Sequence, residues 1–465
     1  MSNLHDELDL ALAVSSNPLD HLPPAYSDEA LTRRYTEAFK DKQRWVELWG
    51  KWMIWSGTHW QEDDTRLALH RARQIATQAA AEFLGEVPNS KNGAEKIASS
   101  KTIYAIERLA RSSREIATRT GDWDADLWLF NTPGGTVDLR TGEIRPHAPA
   151  DLITRVARSA PDGDCPRWIA FLQETFGDDE ETIGFIQRLL GYALTGICQE
   201  HMLAFCYGTG GNGKGVLLNT VQRIFGSYAA TAAVETFTSS TYERHSTDLA
   251  MLRGRRLVLA QETEDGQRWA EAKIKRITGG DEITARYMRQ DNFTYTPQFT
   301  LIIAGNHKPS LRNVDEAIKR RLIMIPFERT VPADRRDPKL AEALEAEWPG
   351  ILAWMIEGCS EWQREGLKPS KAARAATNDY LLEEDALGRF LEERCQPIEL
   401  FDGEETPTRT IFGDWQEWCA TTGEYAGTEK SFSQKLADRG HERAKHPKTR
   451  VSIFRGLRLK TNQSD

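Results

Sequence analysis

The stretch HMLAFCYGTGGNGKGVLLNTVQRIFG, residues 201–226, constrains what this chain can fold into more than any other. Residues 202–207 form a short, nearly unbroken apolar run, as expected of a parallel strand covered on both faces. Gly208, Gly213 and Lys214 then fit G-x-x-x-x-G-K, a loop whose successive backbone N–H groups close around phosphate oxygens while the lysine reaches the terminal phosphates. Gly210 and Gly211, followed by Asn212, provide backbone freedom where the chain must come close to an anion. Leu217, Val221, Ile224 and Phe225 recur at helical spacing, so the positive end of a helix points at the same place. Strand, glycine loop and helix together predict a nucleotide site, with ATP and Mg²⁺ as its ligands. The position that normally carries the Ser or Thr hydroxyl for Mg²⁺ is Gly215. The metal is then held by water and a distant carboxylate, or hydrolysis is weakened.

A chain of 465 residues is too long for one ordinary core, and about three domains are expected. No apolar run approaches the length of a membrane span, and the acidic start lacks the basic and apolar regions of a secretory signal. We therefore expect no membrane partner and a cytoplasmic location, in a bacterial host. The six cysteines are scattered without C-x-x-C pairs or zinc spacing, and read as reduced, packed thiols. A net charge of −9 argues against a uniformly basic nucleic-acid coat but leaves local patches open.

Upstream of the loop, residues 1–28 read as a flexible, proline-punctuated tail. A helix is expected over 30–39. Trp45, Trp49, Trp52, Trp55 and Trp60 follow, with KWMIWSGTHW as two strands about a Ser-Gly turn, and we read these rings as core rather than as a base-stacking platform. Helices are predicted over 65–83 and 94–114, the second with a basic stripe of Lys96, Lys101, Arg108, Arg111 and Arg114 read as a solvated face. Residues 127–149 look like short strands broken by turns, and residues 168–195 like two helices.

Downstream, residues 256–264 (RLVLAQETE) are a buried-type strand ending in carboxylates. Ligands of open parallel sheets lie beyond the carboxyl ends of the strands, so an acid there faces metal and attacking water; Glu262 is the better candidate and Glu264 the second. In residues 281–298 an alternation about Ile283, Ala285 and Tyr287 predicts a projecting hairpin with Arg286 and Arg289 placed either to meet DNA phosphates or simply to be solvated. A further strand, 299–304, ends at Asn306, an amide able to orient water and sense the terminal phosphate. Arg320 and Arg321 precede the apolar run 322–327, and one of them is a candidate to stabilise charge in a neighbouring subunit.

GTGGNGKG, RLVLAQETEDG, KRITGGDEITAR, LIIAGNHKP and DEAIKRRLIMIPF, in that order, closely resemble superfamily 3 helicases of the phage and plasmid helicase-primase group, relatives of the poxvirus helicase-primase. The resemblance covers about residues 30–465. It implies an α/β, P-loop AAA+-like ATPase with a mainly helical N-terminal domain: Lys214 on phosphates, Glu262 with Glu264 on metal and water, Asn306 as sensor, and Arg320 or Arg321 as arginine finger. Gly215 resembles a GKG variant within that group. The implied organisation is an assembly domain at 29–195, ATPase core at 196–335, helical extension at 336–395 and a winged helix at 396–465, with no room for the family's upstream primase-polymerase domain. Residues 340–364 and 372–394 are expected as two helices.

In the last segment, helix, turn, helix and two strands are expected over 410–460, with 431–439 as recognition helix and VSIFRGLRLK as one strand of a wing. Between Glu429 and Lys460, ten Lys or Arg stand against three acids, a local net charge of +7, and Lys435, Arg439, Lys445, Lys448 and Arg450 are the DNA-binding candidates. The whole reads as a helicase of phage, plasmid or mobile-element replication. It would act on single-stranded and forked DNA as a homo-oligomer, a hexamer by family, beside a separately encoded primase. Two alternatives are an origin-recognising initiator and a nucleotide-gated DNA scaffold without significant hydrolysis.

Overall fold

The computed structural model describes residues 22–239, 247–288, 291–312, 314–332, 334, 336–397, 406–446 and 449–460. Most of the expected tail, Arg289 and Lys448 lie outside the described residues. At the centre, five apolar segments form one sheet: β1 (Leu203–Tyr207), β2 (Ala229–Thr231), β3 (Leu257–Gln261), β4 (Thr300–Gly305) and β5 (Leu322–Pro326). Their order is β5-β1-β4-β3-β2 and every pairing is parallel. Because side chains alternate across a strand, the runs serve two cores at once. Ala204, Cys206, Leu259, Ile302 and Ile325 enter one, and Phe205, Val258, Ala260, Ile303 and Met324 the other.

The first of these cores also takes in Phe130 and Val137 from the antiparallel strands Leu129–Thr132 and Gly135–Asp138, Leu139 just after them, and the helices Pro166–Phe176, Glu180–Leu194 and Trp348–Glu365. The division expected at residue 195 is therefore not where the apolar core divides. A separate core lies upstream, built from Leu31, Tyr35, Trp45, Trp52, Ala72, Ala76 and Ile106. Segments 129–194 and 348–365 share this core, and the backbones of the helices Glu180–Leu194 and Trp348–Glu365 come closest at two glycines. A Cβ on Gly191 would sit 2.1 Å from Cys359 N, and one on Gly358 2.2 Å from Gln187 O. Arg256, fully buried, ties the layers by donating to Leu194 O (2.6 Å) and Leu129 O (2.7 Å) beneath the Tyr228 ring.

The tryptophan run is core, as expected. Trp45, Trp52 and Trp60 are buried in a sheet whose strands include Lys51–Trp55 and Trp60–Glu62, turned at Ser56. The helix expected over 94–114 is two, Lys91–Ile97 and Ser100–Ala110, because the Ser99 side chain accepts from Thr102 N and starts a new helix. Lys96, Lys101, Arg108 and Arg114 are exposed, while Arg111 lies over Trp45 and pairs with Glu107 (2.9 Å). Similarly, the two helices expected over 340–394 are four: the first breaks at Glu347, ahead of Pro349 in the first turn of Trp348–Glu365, and the second at Asp385, which caps Ala386–Arg394.

The hairpin pairs Ile283–Ala285 with Phe293–Tyr295. Tyr295 OH donates to Leu249 O (2.5 Å) and Tyr287 OH to Ala250 O (3.1 Å), while the Arg253 guanidinium lies 5.1 Å from the Phe293 ring and 5.7 Å from the Trp49 ring. At the C-terminal end the helices Thr408–Thr422 and Glu429–Asp438 pack through Phe412, Trp415, Phe432 and Leu436 with Phe390. VSIFRGLRLK is two strands rather than one. Gly456, at φ +73°, turns the chain between Ser452–Phe454, which pairs with Arg443–Lys445, and Leu457–Leu459, which pairs with Cys395–Pro397.

Candidate nucleotide-binding site

The loop after β1 ends at Gly213, whose φ of +84° is a conformation that side chains disfavour, and the helix Lys214–Phe225 starts there without a side-chain cap. Its first N–H groups are thus left to whatever occupies the loop. Lys214 is itself mostly buried, and its Nζ donates to Gly208 O (2.6 Å), Asn212 Oδ1 (3.3 Å) and Asn306 Oδ1 (3.3 Å). Burial holds its pKa below the ordinary lysine value, so an arriving anion would gain from a charge poorly compensated by solvent. The three expected site residues Lys214, Asn212 and Asn306 are therefore in contact. Asn212 is a brace as well: its Nδ2 donates to Phe327 O (2.7 Å).

Strand register explains how distant motifs meet. Tyr207 of β1 stands opposite Gly305 of β4, and Ala304 opposite Gln261 of β3, so the three carboxyl ends form one edge. Glu262 follows at φ +72° with its N–H on Ala304 O (3.0 Å). A non-glycine residue in the left-handed region is strained, and here the strain sits where the carboxylate leaves the sheet. Glu262 and Glu264 are exposed, on either side of buried Thr263, whose Oγ1 donates to His307 O (2.5 Å).

Magnesium is implied by the fold. Gly215 offers no hydroxyl, and among the described residues no group of three or more His, Cys, Asp and Glu side chains could hold a metal. An ion at this edge would therefore depend on phosphate and water rather than on a cage of protein ligands.

Of the paired arginines, Arg321 is 7% exposed, donating to Thr278 Oγ1 (3.2 Å) and Ala317 O (2.8 Å). Arg321 is thus held inward, whereas Arg320 is exposed. Arg286 on the hairpin is exposed too. In the C-terminal unit the structure separates residues that a charge count had pooled. Lys435 is half-buried with Nζ on Arg312 O (3.3 Å), and Arg439 pairs with Asp385. These two contacts tie the Glu429–Asp438 helix to the rest of the protein. Lys445 and Arg450, on the strand hairpin, are exposed. Sequence reasoning missed Arg336, whose guanidinium lies against Gly211; no local motif marks it.

A family model described as "D5 N terminal like" matches residues 28–177, and a "Family of unknown function (DUF5906)" matches residues 206–321. "Putative helicase 022R" of Frog virus 3 (isolate Goorha) is 27% identical over 280 residues, 54% of this chain and 28% of that protein. "Putative helicase L207/L206" of Acanthamoeba polyphaga mimivirus is 24% identical over 292 residues, 58% of this chain and 30% of that protein. The matched segments thus span less than a third of those relatives. Among solved structures, the apo NrS-1 C terminal region is 10% identical with a TM-score of 0.48, covering 92% of this chain and 99% of that one. With a D5 N terminal-like region ahead of a P-loop-like parallel sheet, and with similarity to viral proteins named putative helicases, the chain is similar to the poxvirus-like helicase-primase group.

Proposed function

We propose that this chain is an ATP-driven DNA helicase of superfamily 3 type, serving phage, plasmid or mobile-element replication. The observation that carries the reading is the contact of Lys214 with Asn306 at the carboxyl edge of the parallel sheet, with Glu262 leaving the neighbouring strand. In P-loop enzymes this edge is where phosphoryl chemistry takes place. The loop N–H groups and Lys214 hold the phosphates of ATP. Glu262, with Glu264 behind it, orients the attacking water and takes up its proton. Asn306 bridges from Lys214 to the strand end, so occupancy of the terminal phosphate site is felt at β4. Mg²⁺, when bound, neutralises phosphate charge.

Arg320, exposed while its neighbour is buried, would reach the pocket of an adjacent subunit, which favours a closed ring, a hexamer in our reading. The hairpin with Arg286 would grip single-stranded DNA. The C-terminal winged helix would meet forked or duplex DNA through Lys445 and Arg450, and a separately encoded primase would complete the system. Gly215 supports a second reading, a nucleotide-gated DNA scaffold with little hydrolysis.

Steady-state ATP hydrolysis with Mg²⁺, with and without single-stranded DNA, separates the two. DNA-stimulated turnover that Lys214→Ala and Glu262→Gln both abolish is expected. Tight ATP binding without turnover in the wild type would sink the helicase reading in favour of the scaffold.

A further inference from the structure

The chain leaving β5 folds back over the phosphate loop. Phe327 N–H donates to Tyr207 O (2.8 Å), Asn212 Nδ2 to Phe327 O (2.7 Å) and Val331 N–H to Gly211 O (3.0 Å). On its far side this strap is held to the helix Pro166–Phe176. Phe327 packs on Phe176 (5.0 Å between ring centroids), the Arg329 guanidinium covers the Gly177 cap, and Asp337 pairs with Arg167 (3.6 Å). Arg336 closes the strap: its Nε donates to Val331 O (3.0 Å), and its Nη2 lies 2.5 Å from where a Cβ on Gly211 would stand. Among the described residues no carboxylate pairs with it. A guanidinium has thus been placed beside the backbone of a phosphate-binding loop, with its Nε spent on a carbonyl and its Nη2 beside Gly211. A side chain at Gly211 would displace it.

We infer that Arg336 is a second cation of the nucleotide site, supplied by the same subunit, that binds the phosphates of a nucleoside di- or triphosphate from the outer side of the loop while Lys214 binds them from within. The inference rests on the nucleotide reading above. It gives the strap a purpose that packing alone does not explain, since the guanidinium head is exposed. It also assigns Arg336 a role different from the one proposed for Arg320.

The test is equilibrium binding of a fluorescent ATP analogue to the full chain, with inorganic tripolyphosphate as competitor, across a salt series. Arg336→Ala is expected to weaken both ligands about tenfold or more and to flatten the salt dependence of binding. Arg336→Lys should restore much of the affinity and the salt dependence, because it keeps the charge. Lys214→Ala serves as the control that loses binding. Wild-type affinity in Arg336→Ala, with binding lost in Lys214→Ala, would overturn this inference and leave the nucleotide site standing. Equal losses in Arg336→Ala and Arg336→Lys, with lowered melting and unchanged salt dependence, would reduce Arg336 to a structural tie and overturn it too. No binding by the wild type would remove the nucleotide reading itself.

Discussion

Replacing Gly305 with alanine should disable the carboxylates at the end of β3 without touching them. Gly305 closes β4 in an extended conformation, so alanine is acceptable to the backbone. The added methyl, however, would lie 1.7 Å from Thr263 Oγ1, 2.8 Å from its Cβ and 3.0 Å from its Cγ2. Thr263 must retreat by about 1.5 Å to regain ordinary contact in a close-packed interior. In doing so it gives up the bond from Oγ1 to His307 O. Overpacking costs about 1–3 kcal/mol and the lost buried bond about 1 kcal/mol, against about 0.5–1 kcal/mol gained by replacing a strand glycine. The net is about 2 kcal/mol, read as a shift in urea unfolding. Glu262 and Glu264 flank Thr263, so ATP turnover should fall at least about tenfold, on the scale of losing one well-placed catalytic group. Thr263→Ala deletes Oγ1, the atom that clashes most, together with Cγ2, and in the Gly305→Ala background it should be less harmful than alone, with a coupling of about 1–2 kcal/mol. Strict additivity of the two substitutions, or full turnover in Gly305→Ala, would refute the claim that Thr263 positions the carboxylates through Gly305.

Gly215→Ser should fold normally, because a Cβ there meets nothing within 4 Å, and should lower the Mg²⁺ concentration needed for half-maximal hydrolysis; an unchanged requirement would mean that this position does not face the metal. Arg256→Ala strands two buried carbonyls and opens a void beneath Tyr228 and Phe130, so a loss of about 3 kcal/mol or more is expected in urea unfolding. Burial pushes the thiols of Cys198 and Cys419 up to about 11 and those of Cys165, Cys206, Cys359 and Cys395 up to about 12. Labelling by a disulfide reagent should therefore stay slow from pH 8 to 10 in the folded chain, while in urea it accelerates through the ordinary thiol range near about 8.5. Rapid native labelling of several cysteines would contradict that packing.

Local pattern and global placement part company at identifiable residues. Lys214, Glu262 and Asn306 are each marked by a strand running into polar residues, and parallel register alone brings the ends together. Arg320 and Arg321 are neighbours with one composition, and only the packing of Arg321 against Thr278 sets them apart. The same holds for Lys435 and Arg439, where a tally of charge carried no information about which face meets Asp385 and Arg312. Ser99 and Asp385 did advertise themselves as caps, in S-x-x-T and D-x-x-G, but within long helical periodicity such signals are easily passed over. Arg336 is the opposite case. It approaches Gly211 across more than a hundred residues of chain, a proximity only the folded strap creates.

The Arg253 guanidinium between Trp49 and Phe293 sets a mechanical scale for the hairpin. Each such contact is worth about 0.5–1 kcal/mol at a partly exposed site. A hairpin that swings must therefore drag the tryptophan-rich module with it or release a catch worth only a few multiples of thermal energy. If the hairpin moves as proposed, a catch of that strength, beside the bonds of Tyr287 and Tyr295 to Ala250 and Leu249, can open and reclose without a dedicated energy source and return the hairpin to one starting position.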